Sequence, residues 1–548
     1  MMSITHQPSV VLSDVSFSWP DGTPALDHIS AAFGTGRTGL VGANGTGKST
    51  LLKLITGELI PVAGTVTTNG AVGYLPQNLL LTTEVTVSDL LGITDKTDAL
   101  RAIEAGSVET RHFDALDEAW DFEVQARAAL DNVGLEKIDL DRAVGTLSGG
   151  EVVLAAVAGL RLRSSRSEGV VLLDEPTNNL DRGARHDLYA AVAAWPGALI
   201  VVSHDVTLLD LMDDTAELRL GHLELFGGGY SDYQEQVDRE QAAAEQALRT
   251  AEQKLRTEKR QQTEAQTKLA RRQRYARTDF VNKRRPRTIM NQRKTEAQVS
   301  AGKLRGELDE KVAAAQEEKR QQEGRIRDDT AMRITLPDLD VPAGRRLVEF
   351  SDDHGASLVL QGPERVALTG PNGTGKTRLL ESLIRQARDD GSSDDGSTGT
   401  QNSVRTSAFT DRIGYLPQRL EHLDETASVI DTVRAAAPNS SVEQVRASLA
   451  RFLFRADRVH QTVGELSGGE RFRVALASIL LAEPAHQLLV LDEPTNNLDL
   501  DSVDALVSAL EGYRGGLIVV SHDDAFLDRL GIDTWLELQH GALRRGGL

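Results

Sequence analysis

The stretch Gly42-Ala-Asn-Gly-Thr-Gly-Lys-Ser49 decides the fold of this chain, because it has the spacing of a phosphate-binding loop. It follows the apolar pair Leu40-Val41 and precedes a predicted helix that ends before Gly57. Glycines in such a loop let backbone N–H groups converge on phosphate oxygens, and the following helix adds the positive end of its dipole. The stretch therefore predicts an α/β nucleotide-binding domain in which a strand leads into a helix.

The same loop recurs as Gly370-Pro-Asn-Gly-Thr-Gly-Lys-Thr377, and further motifs follow each copy in the same order. These motifs are Tyr-Leu-Pro-Gln, Leu-Ser-Gly-Gly-Glu, Leu-Asp-Glu-Pro-Thr-Asn-Asn-Leu-Asp and Val-Val-Ser-His-Asp. In both copies 30 residues separate the Asp of the acidic pair from the His, namely Asp174 to His204 and Asp492 to His522. Agreement in order and spacing indicates an internal duplication, so we expect two homologous domains.

The length and composition of the chain exclude several classes of protein. A chain of 548 residues is too long for one compact core. The absence of cysteine excludes a disulfide scaffold, a thiolate zinc site and a cysteine nucleophile. The longest apolar runs have the length of buried strands, well short of the roughly 20 residues of a membrane helix, and Met1 to Val10 lacks the layout of a signal peptide. We therefore expect a cytoplasmic protein without a membrane span.

The charge of the chain is unevenly distributed. The formal net charge is -20, yet residues 234–333 contain 25 basic and 17 acidic residues. Within them Lys268 to Lys294 holds eleven basic residues against the single acid Asp279, with Tyr275 and Phe280 among them. A merely solvated helix face would mix the two signs, so the run predicts an RNA-binding surface. The residues expected to bind RNA are Arg271, Arg272, Arg274, Arg277, Lys283, Arg284, Arg285, Arg287, Arg293 and Lys294.

The segment between the two copies predicts a helical hairpin. Gln234 to about Ala276 lacks Pro and Gly and favours one long helix, and about Asn291 to Arg327 favours a second, with Pro286 at the turn. The predicted fold is therefore α/β, with two P-loop domains at 9–230 and 334–548 joined by a basic hairpin linker at 231–333. We also expect a disordered insert at about 389–403 and a longer helical insertion in the first domain, around Asp98 to Trp120.

Each loop predicts contacts with a nucleotide and a metal ion. Lys48 or Lys376 would reach the outer phosphates, and the hydroxyl of Ser49 or Thr377 would ligate Mg²⁺. The other expected nucleotide contacts are Gly42, Asn44, Gly45, Gly47 and Thr50 in the first copy, and Gly370, Asn372, Gly373 and Gly375 in the second.

The apolar runs before the two acidic pairs read as buried parallel strands that end at the nucleotide. Asp174 and Asp492 would hold Mg²⁺ through water. Glu175 and Glu493 would orient or deprotonate the attacking water, because phosphoryl transfer depends mainly on positioned charge and an in-line nucleophile. Four further residues are expected at the terminal phosphate or the metal: His204, His522, Gln77 and Gln418. A structural ion pair and ordinary turn residues are the alternative interpretations.

The Leu-Ser-Gly-Gly-Glu motif puts a serine and two glycines at a helix start, which suits a second anion site. Together with the other motifs, over 9–230 and 334–548, it resembles the ATP-binding cassette ATPases. The resemblance implies a head-to-tail pair in which the motif of one domain caps the ATP of the other, and in which Trp19 stacks on adenine. Phe350, at the corresponding place, is expected in the core. The capping residues would be Ser148, Gly149 and Gly150 for the ATP at Lys376, and Ser467, Gly468 and Gly469 for the ATP at Lys48.

Two such domains with a long charged connector and no membrane span resemble the ABC-F group of translation-associated ATPases, as does Gly227 to Gln236. This resemblance implies a monomeric ATPase whose hairpin enters the ribosome near the tRNA exit site, close to rRNA and P-site tRNA. Two roles stay open, antibiotic resistance by ribosomal protection and a housekeeping function on idle or stalled ribosomes. An ATP-binding subunit of a drug-export transporter and a DNA-repair or chromosome-organising ATPase are alternatives of other classes.

Two features depart from the family pattern. Asn179 and Asn497 stand where most relatives have His. Val152-Val153-Leu154 follows the first Leu-Ser-Gly-Gly-Glu, whereas Arg471-Phe472-Arg473 follows the second. We therefore expect the two ATP sites to turn over at different rates.

Overall fold

A computed structural model describes most of the chain. It covers residues 9–77, 85–116, 119–164, 169–178, 180–281, 287–324, 339, 341–352, 357–388, 404–418, 420, 423–496, 498–539 and 541–546. The side chains of 272, 273, 275–281, 287–298, 352 and 388 are not described. The predicted insert at 389–403, the turn at Pro286, and Asn179 and Asn497 lie outside the described residues.

The first domain and the hairpin contain nine strands and ten α-helices among the described residues. The strands are β1 (Val10–Ser18), β2 (Pro24–Phe33), β3 (Arg37–Val41), β4 (Ala63–Thr68), β5 (Ala71–Leu75), β6 (Gly169–Asp174), β7 (Ala198–Val202), β8 (Asp214–Arg219) and β9 (His222–Gly227). The helices are α1 (Lys48–Thr56), α2 (Val87–Leu91), α3 (Thr94–Glu104), α4 (Thr110–Leu116), α5 (Phe122–Asp131), α6 (Gly149–Ser164), α7 (Arg182–Ala193), α8 (Val206–Leu209), α9 (Tyr230–Val281) and α10 (Arg287–Glu323).

The second domain repeats this order. Its strands are β10 (Arg346–Asp352), β11 (Ser357–Gln361), β12 (Arg365–Thr369), β13 (Val404–Ala408), β14 (Ile413–Leu416), β15 (Leu488–Asp492), β16 (Gly516–Val520), β17 (Thr534–Gln539) and β18 (Ala542–Gly546). Its helices are α11 (Lys376–Arg388), α12 (Val429–Ala436), α13 (Val442–Arg451), α14 (Gly468–Leu480), α15 (Leu500–Glu511) and α16 (Asp524–Arg529).

The two domains have the same sheet topology. The first has a six-stranded sheet in the order β5-β6-β7-β3-β8-β9 and a three-stranded antiparallel sheet in the order β2-β1-β4. The second has β14-β15-β16-β12-β17-β18 and β11-β10-β13. In each large sheet only the edge strand, β9 or β18, is antiparallel. This equivalence confirms the predicted fold class, two α/β P-loop domains with a helical segment between them.

The strand that carries the acidic pair is buried on both faces, which explains its unbroken apolar run. In β6, Val171 and Leu173 pack in the core against the helices, whereas Val170 and Leu172 pack in the core beneath the small sheet. The same alternation holds in β15. Leu489 and Leu491 pack in the core against the helices, and Leu488 and Val490 pack in the core beneath the small sheet. The next residue, Asp174 or Asp492, therefore stands at the carboxyl edge of a rigid sheet, where open α/β sheets bind their ligands.

The first domain has the predicted longer helical insertion. Four helices, α2 to α5, stand between β5 and α6, whereas the described part of the second domain has α12 and α13 between β14 and α14. The extra pair, α3 and α4, falls within the region expected around Asp98 to Trp120.

The linker is a helical hairpin whose residues, Asp232–Thr330, cluster as a compact unit separate from the two domains. Lys254 Nζ lies 2.7 Å from Glu318 Oε2, and Gln262 Nε2 lies 2.6 Å from Asp309 Oδ1. Both pairs centre near residue 286, so α9 and α10 are antiparallel, as the predicted hairpin requires.

The helix ends differ from those expected. Helix α9 is longer at both ends than 234–276 because no Pro or Gly interrupts the sequence between Gly229 and Pro286. Helix α10 begins and ends four residues earlier than 291–327. Pro286 fits the start of a helix, where its missing N–H costs nothing, and Gly324 follows the last helical residue. At 1.5 Å per residue, α9 spans about 78 Å. No helix in the described part of the chain is both long enough and apolar enough to cross a bilayer.

The packing between α9 and α10 predicts a position-specific effect of charge. Ala315 on α10 is 1% exposed, whereas Ala313 two residues away is exposed. We expect Ala315→Glu to destabilise the hairpin by about 2 kcal/mol, since it buries an unpaired carboxylate, and Ala313→Glu to change stability little. Hydrogen exchange of the hairpin amides measures both effects; equal protection in the two variants would contradict this helix packing.

Candidate functional site

The first glycine of each phosphate loop is required because a backbone carbonyl of a neighbouring strand lies close to it. Gly42 has φ 149°, and a Cβ built on it would lie 2.4 Å from the carbonyl oxygen of Leu218. Gly370 has φ 139° and the equivalent Cβ would lie 2.3 Å from the carbonyl oxygen of Leu538. No larger residue fits at either position, so the loop is held against the next strand of the sheet.

The loop lysines are buried and bonded to their own loops. Lys48 Nζ donates to the carbonyls of Gly42 at 2.5 Å and Ala43 at 3.1 Å, and Lys376 Nζ donates to Gly370 at 2.7 Å and Pro371 at 3.0 Å. Burial lowers the pKa of both ammonium groups, and the nearby carboxylates act against it. Each lysine is therefore a partly desolvated cation, which favours binding of an anion beside it.

The Asp of each acidic pair is buried beside a hydroxyl. Asp174 is 3% exposed, interacts with the Ser49 hydroxyl, and its Oδ1 has no hydrogen-bond partner among the described residues. The Thr377 hydroxyl neighbours Asp492, whose carboxylate oxygens likewise lack a hydrogen bond of good geometry within the described chain. Burial raises the pKa of both carboxyl groups. An unpaired carboxylate oxygen beside a hydroxyl fits a hard cation with oxygen ligands, so these residues fit Mg²⁺.

The hydroxyl of a neighbouring tyrosine also reaches this carboxylate. Tyr74 Oη donates to Asp174 Oδ2 at 3.4 Å, and the Tyr415 hydroxyl neighbours Asp492 without a well-aligned hydrogen bond. Sequence patterns gave the tyrosine of the Tyr-Leu-Pro-Gln motif no role, although its occurrence in both copies was a signal. Elsewhere in the described residues, no group of three or more His, Asp or Glu side chains is gathered for a metal.

The glutamate of each pair has an unusual backbone. Glu175 has φ 51° and Glu493 has φ 48°, in the left-handed region that residues with side chains seldom occupy. Each is fixed there by a 2.8 Å hydrogen bond from its N–H to the carbonyl of Val202 or Val520 on the adjacent strand. Strain held in this way at two equivalent positions aims both side chains out of the sheet edge.

A histidine contacts each glutamate. His204 Nε2 lies 3.1 Å from Glu175 Oε1, and His522 Nε2 lies 3.4 Å from Glu493 Oε1, without the alignment of a hydrogen bond. Burial raises the pKa of Glu175 to about 8 and that of Glu493 to about 7. Burial lowers the pKa of His204 to about 3 and that of His522 to about 4, so both imidazoles are neutral at pH 7.

The two domains meet at these sites through a pair of aspartates. One carboxylate oxygen of Asp499 accepts from Ser502 N at 3.0 Å and caps α15, while the other accepts from Asn44 N of the opposite loop at 2.8 Å. Asp181 caps α7 in the same way and accepts from Asn372 N at 3.4 Å. Sequence patterns did not predict this role, although the repeated Leu-Asp that ends the acidic motif was a signal.

A cavity of about 390 Å³ lies at the second loop. Leu180 of the first domain contributes to its wall, so this cavity is built from both domains. Predicted residues of the second copy that line it are Asn372, Gly373, Gly375, Lys376, Thr377, Gln418, Asp492, Glu493 and His522.

The structure also places other predicted site residues in the two domains. Trp19 is 40% exposed and makes a T-shaped contact with Phe17, with ring centroids 5.3 Å apart, so part of the indole is accessible to a base. Phe350 is 1% exposed, which confirms it as a core residue. Gln77 is exposed just after β5, and Thr50 is buried in α1.

Ser148 and Ser467 each form a capping box, with Glu151 and Glu470 respectively, and Gly149, Gly150, Gly468 and Gly469 begin the two helices. Their contact with ATP of the opposite domain remains a prediction.

Few of the predicted RNA-binding side chains are described. Arg271 and Arg274 are exposed on α9. The others lie outside the described residues or have undescribed side chains.

The close approach at Gly42 predicts a large steric effect. We expect Gly42→Ala to cost roughly 2 to 3 kcal/mol, because the methyl group would collide with the Leu218 carbonyl. Gly45→Ala is the matched control: Gly45 also has a positive φ, 83°, but nothing lies within 4 Å of its Cβ position. It should cost about 1 kcal/mol. Denaturant or thermal unfolding measures both, and equal losses would show that the collision is relieved by movement of the loop.

Comparison with known proteins agrees with this geometry. A family model described as ABC transporter matches residues 26–178 and 354–496. The chain is 31% identical over 558 residues to the tylosin resistance ATP-binding protein TlrC of Streptomyces fradiae, covering 95% of this chain and 96% of that protein. It is 29% identical over 567 residues to the energy-dependent translational throttle protein EttA of Mycobacterium tuberculosis, covering 96% and 88%.

Solved structures agree on the fold. The archaeal ribosome recycling factor aABCE1, in a complex with the ribosomal stalk protein aP1, is 20% identical, covers 97% of this chain and 89% of that chain, and has a TM-score of 0.51. With two matched domains, duplicated phosphate loops and acidic pairs, and relatives aligned along nearly the whole length, this chain belongs to the ABC-F group of the ATP-binding cassette family and is an ATPase.

Proposed function

We propose that this protein uses ATP at two sites shared between its domains to drive engagement with the ribosome and release from it, through the basic hairpin. We further propose that its role is antibiotic resistance by ribosomal protection. The observation that carries the proposal is the hairpin itself. A two-helix arm joins two domains that each have a complete phosphate loop and acidic pair, and its cationic run falls around the reversal near residue 286.

At each site the residues suit hydrolysis of a phosphoanhydride. The ammonium group of Lys48 or Lys376 would exchange its loop carbonyls for phosphate oxygens. Asp174 with Ser49, and Asp492 with Thr377, would hold Mg²⁺, which supplies positive charge against the phosphates when bound. Glu175 and Glu493 are aimed from the sheet edge to orient a water, and the neutral His204 and His522 can donate a hydrogen bond to the phosphate that leaves.

ATP would also join the two domains. Asp499 and Asp181 already reach the N–H groups of the opposite loops at 2.8 and 3.4 Å, so a nucleotide in either loop is close to both domains. A ligand that contacts both domains favours the closed arrangement, and hydrolysis removes part of that binding energy. Because the hairpin is covalently joined to both domains, closure can change how it is presented to a partner.

The composition of the linker supports RNA as that partner. Eleven basic residues against one acid can neutralise many phosphates, while the acidic remainder of the chain is repelled by them. Tyr275 and Phe280 within the run suit stacking on unpaired bases. The proposed contacts are therefore with rRNA and P-site tRNA near the tRNA exit site, with the hairpin entering first and the protein acting as a monomer.

Resistance is favoured over the housekeeping role by the relative named for tylosin resistance, which aligns along 95% of this chain and 96% of its own length. The relative named as a translational throttle aligns nearly as fully and supports the alternative, a translation factor for idle or stalled ribosomes. A drug-export subunit would leave the basic hairpin without a function.

Blocking hydrolysis should hold the protein on ribosomes. With ATP, Glu175→Gln/Glu493→Gln is expected to co-sediment with 70S ribosomes at least about tenfold more than the parent, since closed domains are not released. Without ATP, the two should sediment alike. Replacing Arg271 and Arg274 together with the other basic residues of the run by Gln should lower co-sedimentation at least about tenfold and reduce the salt dependence of the binding that remains. Unaltered binding after this neutralisation would refute the role of the hairpin.

Drug susceptibility separates the two roles. Cells that express the protein should tolerate more of at least one peptidyl-transferase or exit-tunnel inhibitor, such as a macrolide or lincosamide, than cells that express Glu175→Gln/Glu493→Gln. Measuring inhibitory concentrations across a panel tests this, with a drug that acts on the cell wall as control. Unchanged tolerance to every ribosomal drug, together with ATP-dependent ribosome binding, would favour the housekeeping role.

A further inference from the structure

We call the interface at which Asp181 and Asp499 reach the opposite loops the seam. The seam is chemically asymmetric although the two domains have the same backbone fold. Asp181 and Asp499 are equivalent, as are His204 and His522, so positions after them correspond one to one. Arg185 on α7 therefore corresponds to Val503 on α15, and Tyr189 corresponds to Val507. The first domain thus offers a buried cation and a hydroxyl at places where the second offers methyl groups.

Arg185 is almost completely buried at this seam. It is 7% exposed, and its nearest anion is Asp205, with Nη1 to Oδ2 at 3.4 Å. Tyr189 makes the closer contact with that carboxylate, at 2.5 Å, and Arg185 Nε has no hydrogen-bond partner among the described residues. Burying nine-tenths of a guanidinium without complete pairing costs free energy. We therefore expect a further anion near Arg185.

That anion belongs to the second domain. Arg185 and Asp205 share a small cavity with Asn496, Val503 and Asp523, which come from the opposite side of the seam. Asp523 is the counterpart of Asp205, and each uses Oδ1 to cap the helix that follows it, at 3.0 Å from Phe526 N and 3.1 Å from Leu208 N. Buried Asp205 and partly buried Asp523 therefore line one cavity, and Arg185 is the cation that lines it with them.

The cavity of Arg185 also borders the ATP site of the second domain. Asn496 lines the cavity of Arg185 and also the cavity at the second loop, where Lys376 and Glu493 lie. On the first-domain side, Glu175 lines the cavity of Arg185, as does Val503, the counterpart of Arg185.

We propose that Arg185 is a positioning residue that the first domain contributes to the ATP site of the second domain, where it holds Asp523 and Asn496 in the closed seam. The site of Lys48 and Glu175 receives no equivalent residue, because Val503 occupies that position. Each closure therefore places an arginine of the first domain beside an acid of the second, with no counterpart in the opposite direction, and the two ATP sites hydrolyse at different rates.

A second contact between the domains also lacks an equivalent in the opposite direction. Arg182 donates from Nε to Asp524 Oδ2 at 2.9 Å across the seam, and its Nη2 lies 2.8 Å from Oδ1. The equivalent positions are Leu500 and Val206, which carry no charge. Both residues of the Arg182 pair are about half exposed, so this ion pair contributes little energy and provides a control for the buried one.

The test resolves the two sites within one molecule. The full-length protein is incubated with 8-azido-ATP, Mg²⁺ and vanadate, irradiated, and digested, and the labelled domain is identified by mass spectrometry. Arg185→Val, which copies the equivalent position, should lower labelling of the second domain roughly tenfold and change that of the first less than about twofold. Arg185→Lys, which keeps the charge, should retain at least about half of the labelling.

Two further variants separate positioning from folding. Arg182→Leu should leave labelling of both domains within about twofold of the parent. Arg185→Val/Asp205→Asn removes the acid that Arg185→Val leaves unpaired in the first domain and keeps a side chain that caps α8. It should restore the melting temperature but leave second-domain labelling low. Equal losses in both domains, no loss in either, or full recovery of labelling in the double variant would overturn the proposal.

Discussion

The structure depends on the burial of charge at the carboxyl ends of two parallel sheets. Each site brings a lysine, an aspartate and a glutamate into positions that are less than a tenth exposed, and several of their polar atoms lack partners among the described residues. Buried charge is tolerated only when it is paired, so such a site favours a bound polyphosphate, and its carboxylate and hydroxyl oxygens fit a metal ion. The rigid sheets and the strained backbones of Glu175 and Glu493 hold this arrangement in readiness.

The sequence predicted those parts of the molecule that are dictated locally. The apolar runs before Asp174 and Asp492, the phosphate loops and the absence of Pro and Gly across α9 each determine a neighbouring conformation, and their duplication predicted two sheets of the same order. Ends of helices were less accurate. Helix α10 begins directly after Pro286, because a proline at that point needs no helical partner for its nitrogen.

Contacts across the seam were not predictable, because they join residues hundreds of positions apart. Nothing in the residues around Asp499 indicates that one of its oxygens reaches Asn44, or that Arg185 meets acids of the other domain. The sequence did show that the two halves had diverged after their signature motifs. The structure adds that they also diverged where α7 and α15 face each other, so one backbone plan carries two electrostatic environments.

The side-chain contacts between α9 and α10 restrict how the length of the hairpin could change. Because Lys254 faces Glu318 and Gln262 faces Asp309, an extra residue in one helix would rotate every later side chain out of its contact by about 100°. Two matched insertions of about seven residues, one in each arm, would preserve those faces. Lengthening or shortening the arm on the domain side of these contacts therefore favours steps of about 10 Å over intermediate lengths.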